Sequence, residues 1–241
     1  MRALVVLPTF NEAENIVGFL RAVRQAVPDA DVLVVDDNSP DGTAALAEET
    51  AAELGRIKVL HRAGKLGLGA AYRHGFTTAF DENYDVIVSM DSDYSHDPSV
   101  ITTMFRLLDD GADAVIGSRY VPGGDTVDWP MRRQLLSKWG NRYTAAILRL
   151  PIRDCTSGFR AYRAEALKAI DPASTSAEGY AFLTELVRKL IANGATIVET
   201  PIVFRDRRFG TSKMSGRSIA ESMLLVTKWG LLDRMRRQPT R

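Results

Sequence analysis

Two carboxylates two residues apart, Asp91 and Asp93, are the side chains of this sequence that point most directly to chemistry. They follow an apolar run, Val86 to Val88 with Met90, that predicts a strand buried on both faces. Ligands of open α/β sheets bind outside the carboxyl ends of the strands. Two like charges at such an end repel each other unless a cation lies between them, and hard oxygen ligands suit Mg²⁺ or Mn²⁺. Taken alone, the Asp-x-Asp pattern fits a metal site and a surface turn about equally well.

Rival chemistries lack the pattern that they require. Gly67-Leu-Gly69 follows the third predicted strand, and Tyr72 stands where a dinucleotide fingerprint needs Gly or Ala. The sequence contains neither a P-loop nor a Gly-x-Ser-x-Gly nucleophile motif. Its three histidines have no zinc-site spacing, although His96 is close enough in sequence to the carboxylates to touch a metal or a phosphate.

Strand and helix patterns alternate through the first half of the chain. This alternation predicts a mostly parallel sheet with helices on both faces, and parallel strands bring their polar ends to one edge. Asn11 with Glu14 predicts a capping box at the start of the first helix, and Pro8 is expected to end the first strand. Strands are predicted at residues 3–7, 32–35, 57–60, 86–88 and 114–117, and helices at about 16–27, 43–54, 69–80 and 98–108.

The second half alternates less cleanly. We predict helices at 131–148, 164–170, 180–193 and 215–234, a loop at 154–160, a strand at 196–204 and a basic loop at 205–213. Arg207 and Lys213 in that basic loop could clamp a phosphate, although a charge run is more often a solvated face. No linker or repeat divides the chain, so one domain is expected over residues 1–241.

The composition and net charge of the chain exclude some classes of binding partner. The 241 residues include 45% hydrophobic and 25% charged types, with a formal net charge of +1 and a single cysteine, Cys155. Neutral charge speaks against a nucleic-acid partner. One cysteine cannot form an intrachain disulfide, so we expect a reducing compartment. We see neither a signal-peptide pattern nor an apolar run near the ~20 residues that span a bilayer.

Five segments follow one another in order along the chain: Pro8-Thr-Phe-Asn-Glu12, Val34-Val-Asp-Asp-Asn-Ser-Pro-Asp-Gly-Thr43, Met90-Asp-Ser-Asp93, Gly117-Ser-Arg-Tyr-Val121 and Ser157-Gly-Phe-Arg160. Taken together, they resemble the inverting family 2 glycosyltransferases with a GT-A fold. Within that family they most resemble the dolichol- or polyprenol-phosphate mannose synthases. The resemblance implies an α/β GT-A fold: a single Rossmann-like, nucleotide-diphospho-sugar transferase domain with a mostly parallel central sheet flanked by helices.

The resemblance also implies roles for individual residues. The nucleotide sugar would be held by Pro8, Phe10, Glu12, Val35, Asp37, Asp91, Ser92, Asp93, Arg207 and Lys213. The Mg²⁺ or Mn²⁺ ligands would be Asp91, Asp93 and Ser95, the last of which stands where some relatives carry Gln. The acceptor phosphate would meet Arg119, Arg133 and Ser137. The catalytic set would be Asp91, Asp93, Arg119 and Arg133.

The implied reaction is transfer of mannose from GDP-mannose to a polyprenyl phosphate with inversion. Residues 1–120 would bind nucleotide and metal, 121–214 the acceptor, and 215–241 would form an amphipathic helix with a basic tail. That helix either packs on the domain or lies in a membrane surface. The lipid acceptor implies a protein peripheral at the cytoplasmic face of a membrane, attached directly or through a membrane-anchoring partner. The alternatives are a UDP-glucose or other nucleotide-sugar donor, a non-catalytic nucleotide-sugar-binding subunit, and a nucleotidyltransferase.

Overall fold

Strands and helices alternate along the chain much as the sequence predicts. The computed structural model describes residues 1–206 and 216–236, the side chains of 216–219 and 236 excepted. The strands are β1 (Ala3–Thr9), β2 (Asp31–Asp36), β3 (Ile57–His61), β4 (Val86–Ser89), β5 (Ala114–Ser118), β6 (Asp125–Thr126), β7 (Arg160–Arg163), β8 (Ile197–Pro201) and β9 (Val203–Phe204). The α-helices are α1 (Ala13–Ala26), α2 (Thr43–Leu54), α3 (Leu68–Asp81), α4 (Val100–Asp109), α5 (Met131–Leu148), α6 (Ala164–Ala169), α7 (Gly179–Ala192) and α8 (Gly216–Arg236). A short 3₁₀ helix lies at Pro172–Ser174.

The central sheet has seven strands in the order β3-β2-β1-β4-β7-β5-β8. All of its pairings are parallel except those of β7, which runs antiparallel to both β4 and β5. The predicted convergence of polar strand ends is therefore confirmed, since β1, β2, β4 and β5 all finish at one edge.

Both faces of the sheet are covered by helices, because the central strands are apolar on both sides. In β1, Val5 and Leu7 belong to the apolar cluster under α1 and α4, whereas Leu4 and Val6 belong to the cluster under α3 and α7. Burial of an aliphatic side chain of this size contributes roughly 1.5–3 kcal/mol. A third cluster joins the sheet to α5 and α8 and includes Val226 of α8. Within the described residues, no helix is long and apolar enough to cross a membrane.

The first strand runs two residues further than predicted, through Pro8 to Thr9. The Met90 N–H donates to the Val6 carbonyl, and the Asp37 N–H donates to the Thr9 carbonyl. In a parallel strand alternate residues bond to opposite neighbours, so Pro8 turns its ring nitrogen toward the β4 side, where β4 has already ended. The missing N–H of proline therefore leaves no ladder hydrogen bond unmade.

Two features of the second half differ from prediction. β7 begins at Arg160, the last residue of the predicted loop, and continues through residues 161–163, for which no element was predicted; it completes the sheet between β4 and β5. The strand predicted over 196–204 divides at Ile202 into β8, in the central sheet, and β9, which pairs with β6 in a separate two-stranded sheet.

The capping box predicted for α1 does not form. Asn11 adopts a left-handed conformation, with φ 56°, and α1 has no side-chain cap at its own N-cap residue. The next two backbone N–H groups instead donate to the first residue of α2 and to the loop before it. That of Glu12 reaches Thr43 Oγ1 at 2.9 Å, and that of Ala13 reaches Asp41 Oδ2 at 3.0 Å. The loops after β1 and β2 are thereby fixed to each other.

Candidate active site

A cavity of about 460 Å³ lies at the carboxyl ends of β4 and β5, between α5 and α8. The acidic loop after β4 forms one side of it, and Arg119, directly after β5, lies nearby. The first turns of α5 contribute Arg133 and Ser137. The cavity therefore joins two sets of residues that are separate in the sequence. These predicted metal and acceptor residues are Asp91, Asp93, Ser95, Arg119, Arg133 and Ser137.

The acidic loop holds its two carboxylates in different surroundings. The side chain of Asp91 is 40% exposed toward the cavity, whereas Asp93 is buried. Asp93 Oδ1 accepts a hydrogen bond from the Ser95 N–H at 3.1 Å. His96 lies beneath the loop with its Nε2 3.7 Å from Asp91 Oδ2, and its ring packs against Phe159.

The donor atoms of this loop fit a hard divalent cation. Ser95 Oγ is buried and has no hydrogen-bond partner among the described residues, which fits an oxygen that binds a metal or another ligand. The described residues contain no group of three or more His, Cys, Asp or Glu side chains that could hold a metal. Asp91 and Asp93 would therefore bind a cation only with further oxygens, which is how Mg²⁺ sites are usually completed by substrate phosphates.

Arg119 is held by a buried ion pair that the sequence did not predict. Its guanidinium donates to both carboxylate oxygens of Asp154, each at 2.7 Å, and to Thr156 Oγ1 at 2.8 Å. Burial alone raises the pKa of Asp154, but the charge and the hydrogen bonds of Arg119 outweigh it, so this pKa lies below its usual 3.8. Arg119 therefore keeps a fixed orientation at the cavity wall.

Arg133 and Ser137 also have partners in the structure. Arg133 donates to Asp206 Oδ1 at 2.7 Å, and its guanidinium lies over the Trp129 ring, 3.9 Å from the ring centroid. Ser137 Oγ lies 2.5 Å from the Tyr120 hydroxyl. An anion that bound Arg133 would therefore compete with the Asp206 carboxylate.

Of the predicted nucleotide-binding residues, Asp91 and Asp93 line this cavity, whereas Pro8, Phe10, Glu12, Val35 and Asp37 do not. These five lie at the neighbouring carboxyl ends of β1 and β2. Lys65 Nζ lies 4.4 Å from the centroid of the Phe10 ring. Asp37 is buried and paired with Arg62; burial raises its pKa, and the charge of Arg62 offsets only part of that rise.

Of three further residues of the predicted nucleotide set, Glu12 and Val35 lie at these strand ends, and Ser92 lies in the acidic loop after β4. Glu12 is buried and accepts a hydrogen bond from Asn15 Nδ2 at 2.8 Å, and Ser92 is buried between the two carboxylates in sequence. The side chain of Val35 is buried in the apolar cluster under α3, so only its backbone faces the site. Arg207 and Lys213 lie outside the described residues.

Sequence reasoning missed Asp154 and Asp206, and it noted His96 only for its closeness in sequence to the two carboxylates. Asp154 lies three residues before the Ser157-Gly-Phe-Arg160 segment, and Asp206 lies within the predicted basic loop, so both are charged residues in or beside segments with a predicted role. Their partners come from other elements, however, and no spacing rule links them. For His96 the usable signal was its position three residues after Asp93.

Comparison with known proteins agrees with this architecture. Residues 4–171 match the model of glycosyl transferase family 2. The chain is 47% identical to a polyprenol monophosphomannose synthase of Mycolicibacterium smegmatis, over 98% of this chain and 89% of that protein. It is 46% identical to an undecaprenyl-phosphate mannosyltransferase of Micrococcus luteus, over 97% of this chain and 96% of that protein.

Solved structures share the fold at lower identity. Glucosyl-3-phosphoglycerate synthase from Mycobacterium tuberculosis, in complex with Mn²⁺, UDP-glucose and phosphoglyceric acid, superposes with a TM-score of 0.68 at 20% identity, covering 94% of this chain and 80% of that one. A mannosyltransferase from Pyrobaculum calidifontis, in complex with GDP-mannose and Mn²⁺, gives 0.65 at 17% identity, covering 100% of this chain and 66% of that one. The expected GT-A fold is confirmed, and this chain belongs to glycosyl transferase family 2.

Proposed function

We propose that this glycosyltransferase moves mannose from GDP-mannose to a polyprenyl phosphate, with inversion, to give a polyprenyl phosphate mannose. The observation that carries the proposal is the shared cavity, which brings the Asp91 and Asp93 carboxylates together with Arg119 and Arg133. The names of the two relatives at 47% and 46% identity support a polyprenyl-linked acceptor and a mannosyl group.

The wall of the cavity suits a lipid-linked acceptor. Leu136 and Trp139 of α5 line it opposite Met223 and Val226 of α8. Leu136 and Trp139 are 52% and 56% exposed, so this apolar wall reaches the outer surface. A phosphate at Arg119 and Arg133 could therefore keep its polyprenyl chain against apolar side chains, which is favourable by roughly 25 cal/mol per Å² of apolar surface covered.

The acceptor chemistry needs orientation more than a base. A phosphomonoester is mostly a dianion at neutral pH, because its second pKa is near 6. Arg119, fixed by Asp154, and Arg133 would orient that dianion toward the anomeric carbon. A divalent cation at Asp91, Asp93 and Ser95 would supply charge stabilisation for the departing diphosphate. We propose no preference between Mg²⁺ and Mn²⁺.

At the other end of the site, the base and ribose would lie over the ends of β1 and β2. Phe10 offers an aromatic face, and the buried Asp37 carboxylate, held by Arg62, offers a fixed acceptor. Glu12, Pro8 and the backbone of Val35 complete this part of the site. Residues 1–120 then form the nucleotide half and 121–214 the acceptor half, with the C-terminal segment following.

A peripheral position at the cytoplasmic face of a membrane follows from a lipid acceptor and a nucleotide-sugar donor. The helix α8 packs on the domain through Val226, while Leu224 and Met235 remain exposed. A membrane-anchoring partner would be needed only if these apolar surfaces bind a bilayer too weakly.

A sugar-transfer assay tests the donor and the acidic loop together. The protein is mixed with a short polyprenyl phosphate, Mg²⁺ or Mn²⁺, and labelled GDP-mannose, UDP-glucose or UDP-N-acetylglucosamine. We expect label in the lipid phase from GDP-mannose alone, as the β-anomer, and its loss in Asp93→Ala. Asp109→Ala, which removes an exposed carboxylate at the end of α4, is the matched control and should keep full activity.

Each other outcome has a definite meaning. Label from a UDP-sugar would replace the donor, and an α-linked product would exclude single inversion. Nucleotide binding without turnover in any detergent would favour a binding subunit, and release of pyrophosphate from a nucleoside triphosphate would favour a nucleotidyltransferase.

A further inference from the structure

A second cavity, of about 470 Å³, lies beside α5 and shares only Arg119 with the first. Besides Arg119, three cations line it. Lys138 and Arg142 are one helical turn apart on α5, and Arg153 comes from the segment that precedes the Asp154 loop. No carboxylate of the described residues lines this cavity, so its charge is entirely positive there.

Unlike Arg119 and several other arginines of the protein, the side chains of Lys138, Arg142 and Arg153 have no acidic partner among the described residues. Arg119, Arg133 and Arg188 each hold a carboxylate, and Arg160 holds three backbone carbonyls. By contrast, over residues 1–206 and 216–236 no side-chain hydrogen bond or ion pair of Lys138, Arg142 or Arg153 is found, and all three side chains are exposed. Like charges gathered around one concave surface repel one another until an anion is bound.

The neighbouring surface of α5 is apolar. Leu135, Lys138, Trp139 and Arg142 follow the spacing i, i+3, i+4 and i+7, which places them along one stripe of the helix. Leu135 is 62% exposed and Trp139 is 56% exposed. The stripe therefore alternates apolar side chains with the cations of the cavity, a pattern that suits the boundary between lipid headgroups and acyl chains.

We propose that the cavity lined by Lys138, Arg142 and Arg153 binds the phosphate of an anionic phospholipid headgroup while Leu135 and Trp139 enter the bilayer surface. The proposal rests on the proposed function, because a polyprenyl acceptor is reached at a membrane. The headgroup phosphate here does not react, since neither Asp91 nor Asp93 lines this cavity. Its role is to hold α5, and with it Arg133 and Ser137, at the depth of the acceptor phosphate.

Vesicle flotation tests the proposal with the full chain. Vesicles of phosphatidylcholine alone are compared with vesicles that also contain phosphatidylglycerol. The variant is Lys138→Gln, Arg142→Gln and Arg153→Gln combined. Its control combines Arg21→Gln, Arg106→Gln and Lys168→Gln, which removes three exposed cations from α1, α4 and α6.

We expect the partition coefficient of the cavity variant on anionic vesicles to be roughly 100-fold lower than that of the wild type. Each cation near such a surface contributes about fivefold, and the variant removes three. The control should lose less than about fivefold, and neither variant should change on phosphatidylcholine alone. Equal losses in the two variants would overturn the proposal, because diffuse charge would then explain the binding. Titration with glycerol phosphate distinguishes a lipid headgroup from a soluble phosphate as the ligand of the cavity. If glycerol phosphate binds the wild type but the cavity variant binds anionic vesicles as well as the wild type does, the proposal is also overturned.

A parallel transfer assay separates this proposal from the proposed function. In detergent with a short polyprenyl phosphate, the cavity variant should transfer mannose as the wild type does, because the headgroup is absent there. If the wild type transfers no mannose but the vesicle difference persists, the proposed function fails and the headgroup site stands.

Discussion

Replacing Asp154 by asparagine should destabilise the protein strongly while leaving its shape almost unchanged. Asp154 is fully buried and Arg119 is 8% exposed, so the guanidinium that remains would be a buried charge without its counterion. Removing one partner of such a pair costs about 3–5 kcal/mol. A domain of this size shifts its melting temperature by about 2–4 °C per kcal/mol, so Asp154→Asn should melt roughly 6–20 °C lower.

Glu53→Gln is the matched control for this variant. It removes the Arg21–Glu53 pair, whose side chains are 55% and 56% exposed, and an exposed pair contributes about 0–1 kcal/mol. Both melting temperatures are measured by circular dichroism at neutral pH. In the transfer assay, Asp154→Asn should also raise the KM for the polyprenyl phosphate more than the KM for GDP-mannose, because Arg119 loses its fixed orientation.

The difference in melting temperature between the wild type and Asp154→Asn should also depend on pH, which gives an independent test. The pKa of Asp154 is depressed in the folded protein, so its stabilisation is present above the unfolded value near 3.8 and is lost as the pH falls through the folded pKa. The gap between wild type and Asp154→Asn should be full at neutral pH and should narrow below about pH 4. If Asp154→Asn lowers the melting temperature at neutral pH by no more than Glu53→Gln does, the stabilisation assigned to the Arg119–Asp154 pair is refuted.

Three further predictions follow from single contacts. Asp206→Asn removes the carboxylate that competes with the acceptor phosphate for Arg133; the side chains of Arg133 and Asp206 are 34% and 46% exposed. The KM for the acceptor should therefore fall by about two- to fivefold, while the KM for GDP-mannose stays unchanged. A rise in the acceptor KM would contradict this prediction. Burial raises the pKa of Cys155 to about 12, so a maleimide should label the folded protein negligibly at neutral pH and one thiol per chain after unfolding. A Cβ at Gly230 would lie 2.5 Å from Ile147 Cγ2, so Gly230→Ala should push α8 away from α5 and cost about 1–3 kcal/mol in urea unfolding, whereas an unchanged midpoint would show that α8 adapts freely.

Features that depend on neighbouring residues could be predicted from the sequence. The bounds of α5, Met131–Leu148, match the prediction because helical periodicity and helix-ending residues are local properties of the chain. The parallel core of the sheet follows in the same way from apolar runs that alternate with helices. The acidic loop after β4 was visible because polar residues that end a buried strand must lie at an edge of the sheet.

Contacts between residues that are far apart in the sequence became visible only in the folded structure. The α1 cap comes from Asp41 and Thr43, and the partner of Arg119 is Asp154, 35 residues further along the chain. Likewise β7 enters the sheet because its backbone pairs with the free edges of β4 and β5, although no strand was predicted there from the sequence. Such pairings depend on the packing of whole elements and on the burial of their polar groups, and no spacing within a single segment encodes them.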